Sequence, residues 1–496
     1  MVPAARLPID GNRGLNIKRA QTLAREIEAE IVESKLAPGY NVGNEAELAK
    51  RFSVGRHVLR EALALVERGG RARVRRGNQG GLIVVDPSAE AIAPTLRNYL
   101  DYVTVNIEHQ HVTRHVLDDA AVIAAMHEMN EADLERFTAL IGQFDAKAAP
   151  SAHVKLAFDM HVATLEAASN PCLSVFSLAV ATLGLGRLKT NAYREQVLVA
   201  HAMEICANRR DCLKAIIAAD RSAALQATRR HYEINLQLWR ESERELTISS
   251  KPSPESKESI MLRVGLGLET PKLAEEVAQR IQADIIDQDL KPGDRVGSEV
   301  ELQDSYGVGR GVMREAIRVL ERLSIVSSTR GKRGGVRVAR RDDTSMIGTI
   351  CNYLQSLGVQ HQHLVQVGDE LDLLGITMAT DRAPSMKDEE FAHIAEGIER
   401  LQPGASLAEL SSRYYQFVGE LSGNPPLTVL LAILSDLHGR VDLCGMDARV
   451  TAVDRERLSQ LLDAVRAGQV ELARRRMLFL RRHGARVRVS DTPRRS

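Results

Sequence analysis

The sequence is poor in cysteine, in aromatic residues and in long apolar stretches, and each shortage excludes something. Five cysteines (Cys172, Cys206, Cys212, Cys351, Cys444) stand among 496 residues, an odd number, scattered and without a CxxC pair. That argues against a disulfide-stapled scaffold or a cysteine-built zinc site, and favours reduced thiols in a cytoplasm. Aromatic residues make up 4% of the chain, with a single tryptophan, Trp239. The cores must then be built from Leu, Val, Ile and Ala, which usually means helices. No apolar run reaches the roughly 18–20 residues of a membrane span. The opening MVPAARLPIDGNRG has no basic segment followed by an apolar core, so we expect no secretory signal and a cytoplasmic location. With 44% hydrophobic and 26% charged residues the composition is that of folded domains, and the length asks for several.

The formal net charge of +1 hides an uneven distribution. Residues 12–86 hold 14 Lys and Arg against 9 Asp and Glu, and residues 271–341 hold 14 against 11, so the remainder carries −7. Two basic modules in an otherwise acidic chain point to anionic partners at two places. These modules are also a repeat. LAPGYNVGNEAELAKRFSVGRHVLREALALVER (36–68) aligns without gaps on LKPGDRVGSEVELQDSYGVGRGVMREAIRVLER (290–322), at an offset of 254. Asn170-Pro171 meets Asn424-Pro425 at the same offset, so the repeat covers a unit of about 230 residues and implies tandem duplication of a whole protein. Ser-, Glu-, Lys- and Pro-rich sequence between the copies, 241–270, is expected to be a flexible linker.

Each basic head carries one pattern. Leu23, Ile27, Ile31 and Leu36 recur at helical spacing, and Pro38-Gly39 stops that helix. A second helix is expected from Glu45 to Phe52, capped by Asn44 in the first copy and Ser298 in the second. The turn Ser53-Val54-Gly55 leads to a third helix from Arg56 to Arg68. Helix, three-residue turn, helix is helix-turn-helix spacing. Arg73 to Arg76, a glycine-rich turn and Leu82 to Val85 then predict a two-stranded wing, matched by Val326 to Arg330 and Val336 to Val338. Arg56 and Arg60 share a helix face, as do Arg310 and Arg314. A guanidinium there can read guanine or clamp a phosphate. His57 lies between the first pair. Arg75, Arg76 and Gly77, with Arg330, Gly331, Lys332 and Arg333, suit the DNA backbone or adjacent minor groove. The bland alternative has Arg60 pairing with Glu61 or Glu67 on its own helix. Glu61 and Glu315 are read as structural.

On these motifs the heads resemble the winged helix-turn-helix of GntR-family bacterial regulators, whose recognition helix ends V-R-E-A-L. Here that stretch is Leu59-Arg60-Glu61-Ala62-Leu63 and Met313-Arg314-Glu315-Ala316-Ile317. The bodies resemble the all-helical, FCD-type ligand domain of the FadR subfamily through Ala168-Ser169-Asn170-Pro171 and Ser422-Gly423-Asn424-Pro425. Two features depart from the family: Gly55 and Gly309 replace a hydroxyl residue, and Ala46 and Val300 replace an arginine.

The resemblance implies a metal site from an Asp-x-x-x-His pair and two later histidines. In the first copy those positions hold Ala157, His161, Arg209 and His231, and in the second Ser411, Tyr415, Leu458 and Leu480. We therefore expect no metal and no other cofactor. A metal held by His161 and His231 would need an unplanned partner such as Asp159 or His201. Arg114 and Asp118, four apart, with His161 and His231, are candidate ligand-binding residues; the second copy has Gly368 and Asp372.

The expected architecture is mainly α: a winged helix-turn-helix (12–86), an all-helical ligand and dimerisation bundle (87–240), the linker, then a second winged helix-turn-helix (271–341) and a second bundle (342–488). The expected function is a sequence-specific transcriptional regulator, a repressor, binding a double-stranded DNA operator under control of a small organic effector, a carboxylate or an acyl thioester. The fused copies would act as an intramolecular pseudo-dimer, with a homodimer of fused chains left open. A nonspecific architectural DNA-binder is the rival. A GntR-fused enzyme is disfavoured, because the bodies show no strand–helix alternation, glycine-rich phosphate loop or nucleophile motif.

Overall fold

The computed structural model describes residues 19–490 apart from 21, 25, 32, 33, 35, 69–71, 76–79, 86, 87, 104, 105, 184–191, 247–272, 289, 323, 324, 330–334, 340–342, 402, 403 and 442–449. The chain is mainly helical, with two small three-stranded sheets. It divides into two compact units, residues 1–92 with 349–358, and residues 93–348 with 359–496. Among the described residues no helix is long and apolar enough to cross a membrane.

The first unit holds the first head. Helix α1 (residues 19–31, helical at each described position) presents Leu23, Ile27 and Ile31 to the core. Strand β1 (Asn41–Gly43) precedes α2 (Glu45–Arg51) and α3 (Arg56–Arg68). Asn44 caps α2 by accepting from the Ala46 and Glu47 amides, and Glu47 accepts from the Asn44 amide in return. The turn between the helices is made by Ser53, at φ 50°, whereas Gly55 has an ordinary backbone. Leu48, Leu59, Ala62 and Val66 close over Ile27. Strands β2 (Ala72–Arg75) and β3 (Gly81–Val84) form the wing. The expected two-stranded wing gains β1 as a third strand, in the order β1-β3-β2. Three residues ending in glycine are too short to show alternation. A side chain at Gly81 would strike Asn41 and the Gly43 carbonyl, at 2.4 and 2.8 Å, so the close pairing needs glycine there. Residues 349–358 of the second copy complete this unit. Buried Tyr353 donates its hydroxyl to the Ser88 carbonyl (3.0 Å) and accepts from the Ser88 amide (3.2 Å).

The second unit contains the second head and the two bodies, apart from residues 89–92 and 349–356 of those bodies, which belong to the first unit. The first body is α4 (Ala89–Val103), α5 (Ile107–Glu128), α6 (Glu131–Gly142), α7 (Pro150–Ala167), α8 (Pro171–Ala181), α9 (Ala192–Ile217) and α10 (Arg221–Leu246). Helix α10 runs past Glu241 to Leu246, so the expected linker begins as helix; residues 247–270 lie outside the described residues. The second head repeats the first in α11 (Leu273–Asp287), β4 (Arg295–Gly297), α12 (Glu299–Tyr306), α13 (Arg310–Arg322), β5 (Val326–Thr329) and β6 (Gly335–Val338). Ser298 caps α12 in a reciprocal box with Glu301, and Gly307 makes the left-handed turn. The second body is α14 (Asp343–Ser356), α15 (His361–Arg382), α16 (Asp388–Glu399), α17 (Leu407–Ser422), α18 (Pro425–Val441), α19 (Ala452–Arg466) and α20 (Val470–Ser490).

The two bodies pack on each other through α5 and α15, with α8 against α15 and α18 against α5. Each of the matched asparagines does two tasks there. Asn170 caps α8 with its carbonyl oxygen and donates its amide across to the His363 carbonyl (3.1 Å) and the Gln366 side chain (2.8 Å). Asn424 caps α18 and donates to the His109 carbonyl (3.4 Å) and Thr113 Oγ1 (3.1 Å). His109 and His363 are equivalent positions, so the contact is reciprocal. Pro171 and Pro425 sit where a missing amide hydrogen costs nothing.

Candidate nucleic-acid interface and buried cavity

In both heads the third helix opens on arginine and has no acid in its first turn. A cation at a helix N-terminus opposes the macrodipole, so the arrangement favours an incoming anion over intrinsic helix stability. Arg56 is exposed at the first position of α3. Arg60 donates from Nε to Glu45 at 2.8 Å, and its side chain is 68% exposed. In the second head Arg310 and Arg314 both donate to Glu299, at 3.1 and 3.2 Å. Slight burial works against the Glu299 carboxylate, but the two guanidiniums outweigh it and hold its pKa below the ordinary value. The local alternative for Arg60 is therefore corrected: its partner is Glu45, on α2, across the turn. Glu67 instead accepts the Val74 amide at 2.6 Å, and Glu321 the Ser328 amide at 3.0 Å, so each ties the third helix to its wing. Glu315 pairs with Arg318. Arg75 is exposed at the end of β2. Arg76, Gly77, Arg330, Gly331, Lys332 and Arg333 lie outside the described residues, as do the side chains of His57 and Glu61.

Three of the ligand candidates, Arg114, His161 and His231, line a cavity of about 140 Å³ in the first body between α5, α7, α9 and α10; Asp118 stands behind it. Asp118 is 2% exposed and Arg209 5%. Arg209 donates to Asp118 Oδ2 at 2.9 Å, while Arg114 Nε stands 3.9 Å away and His161 Nδ1 3.8 Å from Oδ1. The expected Arg114–Asp118 pair is thus the looser one. Arg114 Nη2 donates to His231 Nε2 at 2.9 Å, and Asn235 stands 3.1 Å from the same atom. Burial opposes the charge on Asp118, yet Arg209 leads the neighbours that outweigh burial and keep the pKa low. Burial and the nearby guanidiniums drive His111 and His161 down to about 3 and His231 well below its ordinary value, so all three are neutral near pH 7. Burial also lowers Arg114, to about 10, against the pull of Asp118.

These residues do not fit a metal. Among the described residues no three His, Cys, Asp or Glu gather where an ion could sit. His231 offers Nε2 to Arg114, and Arg209 occupies Asp118. The unplanned partners do not help, for Asp159 pairs with Lys155, and His201 with Glu204 and Glu241. In the second body Asp372 is buried, but Tyr415 and Leu458, also buried, stand where His161 and Arg209 stand in the first.

Residues 19–80 and 273–338 match the sequence profile of the bacterial regulatory proteins, gntR family. Each head is thus similar to that family over the matched residues. Among curated relatives, the chain is 23% identical over 176 residues to the uncharacterized HTH-type transcriptional regulator YcbG of Bacillus subtilis (strain 168), covering 34% of this chain and 70% of that one. It is 25% identical over 174 residues to the HTH-type transcriptional repressor NanR of Escherichia coli (strain K12 / DH10B), covering 33% of this chain and 64% of that one. That match spans less than two thirds of NanR. A solved GntR protein of Streptococcus agalactiae covers 44% of this chain at 18% identity, with a TM-score of 0.32, too low to bear on the fold.

Sequence reasoning missed Glu45 and Glu299 as partners of the heads' arginines, although their offset of 254 was a signal. In the cavity it missed Gln110, His111 and Asn235. It placed Arg209 only as a failed metal ligand, and the guanidinium's contact with Asp118 is made over 91 residues of chain.

Proposed function

We propose that this chain is a sequence-specific transcriptional regulator, a tandem fusion of two FadR-type protomers whose two heads meet two half-sites of one operator. The reciprocal seating of Asn170 and Asn424 on the opposite body carries this reading, because it makes of one chain what two separate protomers would make by pairing. The heads differ in sequence, so the half-sites are expected to differ, and the shared chain raises the local concentration of the second head. A small organic effector entering the first body's cavity would favour one arrangement of the helices that line it and so change operator affinity. Repression is the expected outcome by analogy with the similar HTH-type transcriptional repressor NanR.

The test is selection of genomic fragments by the purified chain at near-physiological salt, followed by sequencing. A few sharp peaks with two unlike half-sites at fixed spacing are expected. A profile that is flat with and without cell metabolites, and governed by salt alone, would favour the architectural rival.

A further inference from the structure

We infer that the cavity of the first body is a metal-free receptor for a small monoanionic acid with an apolar body, in which a guanidinium does the work of a bound cation. The inference rests on reading this cavity as the effector's, and it concerns what kind of molecule enters.

Charge is the first argument. Arg114 and Arg209 are the cations that line the cavity and no carboxylate lines it; Asp118 stands behind, paired with Arg209, and His111, His161 and His231 are neutral, so one positive charge faces the cavity without a paired carboxylate. Asp119, next along α5, is engaged by Thr228 and His115 and does not line the cavity. A buried charge without a counter-ion is costly, and a single negative charge on a ligand would balance it. Hydrogen bonding is the second argument. Arg114 Nε, His111 Nε2, His161 Nε2 and His231 Nδ1 are buried and have no hydrogen-bond partner. Arg209 is committed to Asp118, which leaves Arg114 to meet the ligand's charge. A carboxylate set against Arg114 would engage several of these atoms at once. Size and lining are the third. Val154, Phe158, Ile205 and Leu238 wall the remainder. A cavity of about 140 Å³ is close to one of roughly 150 Å³ that takes up benzene. A six-carbon ring or short chain fits, and a coenzyme A thioester is too large to be enclosed.

The experiment uses the full chain, free of DNA and dialysed against EDTA. Thermal unfolding is followed with millimolar benzoate, cyclohexanecarboxylate and hexanoate, each against its amide. At least one acid is expected to raise Tm by roughly 3 °C or more with EDTA present, and its amide to do nothing. Arg114→Met, which removes the unbalanced charge and leaves the Arg209–Asp118 pair, should abolish that shift while the acid-free Tm stays within about 2 °C of the parent's. No shift with any acid, an equal shift with the amide, or a shift lost with EDTA overturns the inference. Operator binding is measured separately. An acid that binds without changing operator affinity supports the inference and sinks the effector role. Regulation by a neutral molecule with no acid bound does the reverse.

Discussion

The two bodies follow one helical pattern and part at the positions that matter most for chemistry. The first carries Arg114, Asp118, His161, Arg209 and His231; the second carries Gly368, Asp372, Tyr415, Leu458 and Leu480. Most of both sets is buried, and the second keeps one charged residue, Asp372, so the fold does not require the other charges of the first. Apolar filling is the cheaper solution, because ions taken out of water must be matched and hydrogen-bonded. The first body therefore bears more of this cost than the second, which keeps only Asp372 as a buried charge there, and the proposed ligand site would account for the difference. The backbone differs in the same sense. Ser53, Ser169 and Ala219 hold left-handed conformations in the first copy, where Gly307, Gly423 and Gly468 stand in the second. The second copy is the relaxed version of the fold and the first the strained one.

Arg209→Leu should break the comparison most strongly. It copies the second body's Leu458 but leaves Asp118 buried without its closest cation, so a loss of about 3–5 kcal/mol is expected in chemical denaturation. Loss below about 1 kcal/mol would mean that Asp118 is not held by Arg209. Acid should also strain the first body. The lowered pKa values of His111, His161 and His231 mean that the unfolded chain binds protons more readily. Stability is thus complete above about pH 6.5 and falls from there toward pH 3, by up to about 1.4 kcal/mol per pH unit for each histidine. His161→Gln should flatten the profile, and an unchanged slope would contradict its burial as the neutral form. Where the copies agree, so should the effects: Asn170→Ala and Asn424→Ala each lose a cap and a cross-body hydrogen bond, for about 2 kcal/mol apiece. A much smaller loss at one of them would show that the reciprocity is not energetic. The smallest expected effect is on the backbone. Ser53→Gly and Ala219→Gly should stabilise by roughly 0.5–1 kcal/mol, while Gly423→Ser should destabilise, because Gly423 holds φ 64°, where an L side chain is strained. Shifts in denaturation midpoint with the opposite signs would remove the backbone from the comparison.

The heads were legible because their signals are local. Caps at Asn44 and Ser298, helical spacing of Leu23, Ile27 and Ile31, and arginines four apart each act within a turn or two of chain. The glycine signal misled slightly, since the left-handed residue is Ser53, two positions before Gly55. Strand β1 escaped because three residues cannot show a period of two. The cavity was half legible. Histidines and Arg114 were marked through their positions, but charge pairing of Arg209 with Asp118 and of Arg60 with Glu45 is tertiary, and no local pattern announces it. The Asn-Pro pairs stood out as matching sequence; that one amide both caps a helix and reaches the opposite body emerges only when α8 and α18 are seen packed on α15 and α5.

The most direct test of two unlike heads serving one operator is footprinting of the selected site with Arg60→Ala and Arg314→Ala, each against the parent chain. Each variant is expected to lose about 1–3 kcal/mol and to relax base preference, Arg60→Ala at one half-site and Arg314→Ala at the other. Both variants weakening the same half-site, or both keeping full selectivity, would contradict the account.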